Sequence, residues 1–368
     1  MVWKIQGVEG ENYLESIKNF LNQLLKSKNV DAVLVPKRFP DGNNTAQVLI
    51  TDPGKLDDID PLAPVQMVNS AQIVKELTKD PVKEKIASVL RPCEVRATIE
   101  LIKLKQILDA RLYIIGYDCP GVYNVKDYIE KLEKSNGIGK EGFTLSYVNG
   151  FLSGKEDTIR ESCQLCTHFT GNSADINIAW VGSNSSDVFI EVNSEKGQSL
   201  IEGLDGEKIG DLIERNQKIN KILDERKKRQ ENEIDDFLGV MQRCIRCYNC
   251  REVCPLCYCK ECLLKPEKMG YSSDRYMRRA TKKGQIKMPV DTVLYHLTKI
   301  NHMAFSCVSC GLCEQACPMD IPLGRIYNVF GRKAQALFDY EPGRSLDDEL
   351  PVTTFKEDEL KEIEDVNK

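Results

Sequence analysis

The apolar positions of the first 200 residues change period several times, and the changes outline a layered α/β fold. Tyr13, Ile17, Phe20, Leu21, Leu24 and Leu25 recur at helical spacing, which predicts a helix with one buried face. Short apolar runs at 32–35, 47–50, 86–90 and 112–115 read as strands. A helical pattern over 94–107 lies between the last two. Such alternation favours an α/β layer containing some parallel strands. Strand-like patterning returns at 174–181 and 188–192. From 203 to 239 alternating charges dominate, and Leu212, Ile219, Ile222 and Leu223 supply only a thin apolar stripe. This segment reads as a solvated connecting helix. The expected organisation is an α/β domain over 1–203, a charged helical linker over 204–239, a cysteine-rich module over 240–330 and a tail over 331–368. Residues 341–368 carry ten acidic and four basic side chains, so the tail is expected to be loosely ordered.

Composition narrows the function. A net charge of −5 argues against nucleic acid as the partner. The longest apolar runs, such as 111–116, are too short to span a bilayer, and the first residues lack a secretion signal, so a cytoplasmic location is expected. Fifteen cysteines are the anomaly. In a reducing compartment dense cysteines read first as metal ligands or redox groups, and an odd number suits a complete disulfide framework poorly.

Two cysteine runs share one spacing. The first is Cys244, Cys247, Cys250 and Cys254 followed by Pro255; the second is Cys307, Cys310, Cys313 and Cys317 followed by Pro318. Three cysteines spaced by two residues wrap one [4Fe–4S] cube, and in two-cluster ferredoxins the fourth, before proline, crosses to the other cube. The spacing therefore assigns Cys244, Cys247, Cys250 and Cys317 to one cluster, and Cys307, Cys310, Cys313 and Cys254 to the other. Zinc sites are the weaker alternative, because they usually pair C-x-x-C knuckles.

Four further cysteines precede these runs. Cys93 follows the strand-like 86–90, and Cys119 follows 112–115. If those strands are parallel neighbours, both thiols sit at the carboxyl edge of the sheet, where open α/β folds bind ligands. Cys163 and Cys166 form a C-x-x-C pair. Together the four make a candidate third [4Fe–4S] site, although spacing leaves buried thiols, a redox disulfide or half a zinc site equally open.

The segments RPCEVRATIELIKLKQ (91–106), YDCPGV (117–122), CQLC (163–166), ADINIAWVGS (174–183) and the double ferredoxin run occur in an order that resembles the coenzyme F420 hydrogenase/dehydrogenase β-subunit family, closest to its formate dehydrogenase members that work with heterodisulfide reductase. The resemblance spans most of 60–330. It implies an α/β flavin domain followed by an α+β two-cluster ferredoxin-like module. It also implies FAD in the first domain, a [4Fe–4S] cluster on Cys93, Cys119, Cys163 and Cys166, and hydride exchange between coenzyme F420 and the flavin. Three clusters in all would then carry single electrons. The implied partners are a formate dehydrogenase or hydrogenase catalytic subunit, a heterodisulfide reductase A-type subunit, or both. Arg91, Arg96, Asp175 and Gly182 are the expected flavin-binding residues. The chain departs from the family where Ala179 and Trp180 replace smaller residues and where the N-terminal glycine pair is missing. Those bulkier residues are expected to alter the flavin or its hydride partner.

Some features stay outside this scheme. Cys257, Cys259 and Cys262 are one thiol short of a cube and read as small hydrophobes packed on the module, or as ligands completed from elsewhere. His168, His296 and His302 read as surface or capping residues. Thirteen Lys or Arg against five Asp or Glu between 241 and 300 read as compensation for anionic clusters rather than as a docking face. The opposing hypothesis to a flavoprotein is a flavin-free electron wire joining two redox subunits.

Overall fold

The computed structural model describes residues 1–40, 44–135, 139–154, 158–183, 187–230 and 233–355. It divides into two compact units, one formed by 1–230 with 343–347, the other by 231–342 with the remaining C-terminal residues.

The first unit is built on one eight-stranded sheet. Its elements run β1 (Val2–Ile5), α1 (Tyr13–Lys26), β2 (Ala32–Arg38), β3 (Thr45–Ile50), α2 (Ala71–Leu77), β4 (Ile86–Leu90), α3 (Pro92–Lys103) and β5 (Leu112–Tyr117). They continue with α4 (Val125–Lys134), α5 (Lys140–Leu152), α6 (Glu161–Gln164), β6 (Ile176–Ala179), β7 (Phe189–Val192), α7 (Glu195–Ile201), β8 (Gly206–Ile209) and α8 (Ile213–Lys228). The strand order is β3-β2-β4-β5-β6-β7-β1-β8, and the inner strands β2, β4, β5 and β6 are mutually parallel. Their sequences are continuous apolar runs because both faces are covered; all five residues of β4 are buried. The periodic residues of α1 pack into the same core as Val33, Val89, Ile115 and Ile178. The helix starts where the Asn12 side chain accepts a hydrogen bond from the Glu15 backbone N–H.

The expected free helical linker over 204–239 is not what forms. Residues 206–209 are an edge strand pairing with β1, and α8 follows on the same unit. The charge run concealed Arg215, which is buried in an ion-pair network described below. The tail also departs from expectation. Tyr340 and Leu350 are buried, and the Gly343 N–H donates to the carboxylate of Glu100 in α3. Residues 356–368 lie outside the described residues.

The second unit holds α9 (Phe237–Met241), α10 (Asn249–Glu252), α11 (Pro266–Met269), α12 (Ser273–Lys283), α13 (Thr292–Met303), α14 (Leu312–Gln315) and α15 (Leu323–Leu337). Its core gathers Met241, Leu264, Tyr295, Ile300, Ile326 and Tyr327. No strand is assigned among its described residues, where an α+β module was expected. The cysteine runs turn as loops ending in the one-turn helices α10 and α14, and helical segments join them. Among the described residues no helix is long and apolar enough to cross a membrane.

Candidate iron–sulfur and cofactor sites

The two C-terminal runs adopt one backbone pattern twice. Arg246 and Ser309, each just before the second cysteine of its run, have φ of 53° and 55°. Tyr248 and Gly311, just after it, have φ of 65° and 74°. These left-handed turns bend each loop around its thiols. The Arg246 N–H donates to Cys244 Sγ at 3.3 Å. The thiol neighbours of Cys244 are Cys250, Cys247 and Cys317, and burial pushes its own thiol up. Cys254, Cys307, Cys310 and Cys313 line one cavity together. The fold brings Cys317 near the first run and Cys254 near the second, and the thiol-only donor sets suit a [4Fe–4S] cube. No three His, Cys, Asp or Glu side chains among the described residues converge closely enough for a single metal ion.

The remaining three cysteines diverge. Cys257 hydrogen-bonds to Cys254, which lowers the Cys254 thiol, and the Cys257 sulfur lies 3.6 Å from Met303 Sδ. Cys262 packs on the core of the unit, whereas Cys259 is exposed. Of the thirteen cations between 241 and 300, Arg246, Arg251 and Lys299 are buried. His296, read as a surface residue, is buried as well. Both its ring nitrogens lack hydrogen-bond partners among the described residues, and burial, with help from Lys299 and Arg246, lowers it to about 4.

In the first unit, β4 and β5 are parallel neighbours in register from Ile86 with Leu112 to Leu90 with Gly116. Cys93 and Cys119 therefore leave the sheet at the same edge. Cys93 stands in the first turn of α3, where Glu94 accepts from the Arg91 N–H at 2.9 Å. The Gln66 amide reaches both Glu94 and, at 3.8 Å, the Cys93 sulfur. The Cys119 N–H donates to Phe169 O, and Gly121 then turns with φ of 109°. A Cβ at Gly121 would stand 3.2 Å from Cys163 Cβ, so only glycine allows the two cysteine loops to approach this closely. The Cys166 N–H returns to Cys163 O.

Three buried arginines surround these thiols. Arg91 donates to Ala63 O and Val65 O and lies 6.0 Å from the Tyr117 ring centroid. Arg160 donates to Gln66, and Arg226 donates to Cys166 O and covers the Phe169 ring at 4.8 Å. Burial pushes the Cys119 and Cys163 thiols up, while Arg91 opposes this at Cys119 and Arg160 at Cys163. Arg91 Nη1 and Tyr117 Oη are buried with no hydrogen-bond partner among the described residues. Cationic walls and orphaned donors facing thiols suit an anionic cluster. Neither Arg160 nor Arg226 stands out in the sequence, because a buried arginine among other charges looks like an exposed one.

Asp118, beside Cys119, ties this edge together. Its carboxylate accepts from the Trp180 and Val181 N–H groups, from Asn177 and from both Nη atoms of Arg215. Arg215 also grips Glu191, with Nε at 2.9 Å. Gly182 sits at φ 87° with the place of its missing Cβ 2.5 Å from Arg215 Cα. Gly182→Ala should therefore cost about 2–4 kcal/mol, read as a lower midpoint in thermal unfolding of the first unit. Trp180 is fully buried between Tyr13 and Phe151, with its indole N–H on Asp118 O.

A cavity of about 1300 Å³ adjoins the cysteines. Tyr123, Phe143, Tyr147 and Phe151 form much of its wall, and Arg226 and Arg229 line it as well. Tyr147 is also a neighbour of Cys119 and Cys163. None of Arg91, Arg96, Asp175 and Gly182 is among the lining residues. Asp175 lies at the amino end of the parallel strands, accepting from Ile114 N and Ser194 Oγ. Arg96 is buried on α3 and helps burial bring His168 down to about 3. Residues 137–142 carry a G-x-G-x-x-G string that leads into α5, and its Gly142 lines the cavity. It follows a helix rather than a strand, so it lacks the context of the dinucleotide fingerprint.

Residues 83–217 match the model for the C terminus of the coenzyme F420 hydrogenase/dehydrogenase beta subunit, and 240–321 match a 4Fe-4S dicluster domain. The F420-dependent formate dehydrogenase subunit beta of Methanocaldococcus jannaschii is 30% identical, with 89% of this chain and 90% of that protein covered. The F420-dependent formate dehydrogenase 1 subunit beta of Methanococcus maripaludis is 30% identical over 76% and 77% of the two chains. The coenzyme F420 hydrogenase subunit beta of Methanococcus voltae is 26% identical over 57% of this chain and 83% of its own. The dicluster domain makes the protein an iron–sulfur electron-transfer subunit of an oxidoreductase, and the chain belongs to the coenzyme F420 hydrogenase/dehydrogenase β-subunit family.

Proposed function

We propose that this chain is the subunit that exchanges a hydride with coenzyme F420 through FAD and relays single electrons through three [4Fe–4S] clusters. The electrons pass to or from a catalytic partner of the formate dehydrogenase or hydrogenase type, or a heterodisulfide reductase A-type subunit. One observation carries the flavin reading: the large aromatic cavity adjoins Cys119 and Cys163, with Tyr147 common to both. Its volume exceeds the 300–1,000 Å³ usual for small-ligand sites, which suits a dinucleotide. FAD held there would supply two-electron acceptance and one-electron release. The chain's own residues would do the rest. Phe143 and Phe151 offer flat apolar surface that excludes water, and Arg226 and Arg229 offer positive charge toward phosphate. Arg91, Arg160 and Arg226 would hold the upstream cluster between β4, β5 and α6.

The test is anaerobic purification with its partner subunits, followed by flavin, iron and sulfide assays and titration with reduced F420. Stoichiometric FAD bleached by reduced F420, with roughly twelve iron atoms per chain, is the expected result. Full iron without flavin would overturn the hydride-exchange reading and leave an electron wire.

A further inference from the structure

We propose that Lys299 is an electrostatic bridge between the two cube sites of the second unit, raising the reduction potential of both. The proposal rests on the crossed two-cube assignment above. Helix α13 supplies the geometry. Tyr295, Lys299 and Met303 are spaced by four residues, so they share one face with about 6 Å of rise per step. At one end the Tyr295 hydroxyl lies 3.8 Å from Cys250 Sγ, a ligand of the first set. One turn on, Lys299 and Met303 line the cavity shared by Cys254, Cys307, Cys310 and Cys313, the second set. The same helix face thus touches both sets.

Lys299 is 1% exposed, and its ammonium lies 4.2 Å from the Tyr327 ring centroid. A lone buried ammonium ordinarily gives up its proton. Here the face of the Tyr327 ring and the four sulfurs that line the same cavity surround the ammonium and favour its charged form. A thiolate-ligated cube is anionic, and taking one electron makes it more so. A fixed cation in a poorly polarisable interior stabilises the reduced form more than the oxidised form, which moves the potential upward. Because Lys299 lines the second set's cavity and stands one turn from Tyr295 on Cys250, it acts on both couples.

The full chain, purified anaerobically with its clusters, is titrated electrochemically with EPR detection. The wild type should show the interacting signals of two reduced cubes. Lys299→Met, at full iron content, should lower both midpoint potentials by at least 59 mV, a tenfold change in a one-electron equilibrium. Lys299→Arg should stay near the wild type. Wild-type potentials in the Met variant at full iron would overturn the proposal, as would an Arg variant that falls as far as the Met variant. If Lys299→Met holds too little iron to titrate, Lys299→Gln is read in the same way. Iron loss in both neutral variants, with full iron in the Arg variant, would make Lys299 a purely structural cation and overturn the tuning role. A wild type without the paired signals would overturn the two-cube assignment itself, and this proposal with it.

Discussion

Cys119→Ala should remove roughly four of about twelve iron atoms per chain and abolish F420-dependent electron delivery. The two C-terminal cubes should keep their EPR signals. The reason is positional. Cys119 stands where β5 ends, its backbone N–H is fixed on Phe169 O, and the tight turn at Gly121 brings it to Cys163. A chain cut at this step should pass electrons at least about a hundredfold more slowly, and iron analysis beside a reduced-F420 assay would check both parts. Cys259→Ala is the control, because Cys259 is exposed and should leave both measurements unchanged. The protonation of these thiols adds a pH signature. Burial pushes Cys119 and Cys163 up, so the apoprotein holds them as thiols, and cluster insertion must displace their protons. Reconstitution should therefore proceed faster as pH rises, and a rate independent of pH would contradict that account.

Arg215→Met should destabilise the first unit by about 3–5 kcal/mol, because it leaves the Asp118 and Glu191 carboxylates without their cation. For a unit of this size that corresponds to a fall of roughly 10 °C in Tm, measurable by calorimetry. Asp118 is fully buried and Arg215 nearly so, which makes the loss far larger than for a surface pair. The damage should extend to the cluster, since Asp118 immediately precedes Cys119. Pairing Arg215→Met with Asp118→Asn should recover part of the stability by removing one stranded charge. Additive losses in the double variant would show that the two side chains are not coupled.

Much of the first unit was legible because burial on both sheet faces leaves unbroken apolar runs. Residues 32–35, 47–50, 86–90 and 112–115 all fall within strands, and 174–181 and 188–192 bracket two more. The parallel pairing of β4 with β5, on which the shared edge of Cys93 and Cys119 depends, is as the alternation suggested. The short outer strands β1 and β8 were not legible. Gly206–Ile209 carries two exposed charges on an edge, and nothing in GEKI separates it from a linker. Arg215 failed for a related reason: its partners Asp118 and Glu191 are far away in sequence, so the residue could be placed only by tertiary structure. The two cysteine runs were the most legible part, because ligand spacing is a local property. The cavity wall was left unread although Phe143, Tyr147 and Phe151 recur every four residues along α5, a helical spacing, and only Tyr123 joins them through tertiary structure.

The return of residues 343–347 to the first unit has a consequence for biosynthesis. Glu100, two turns after Cys93 in α3, receives its Gly343 N–H only after residues 231–342 have left the ribosome, roughly ten seconds later. Throughout that interval α3, with Cys93 in its first turn, is still missing its last cover. On the proposed reading, the order of translation lets iron reach Cys93 and its companions before this last contact forms.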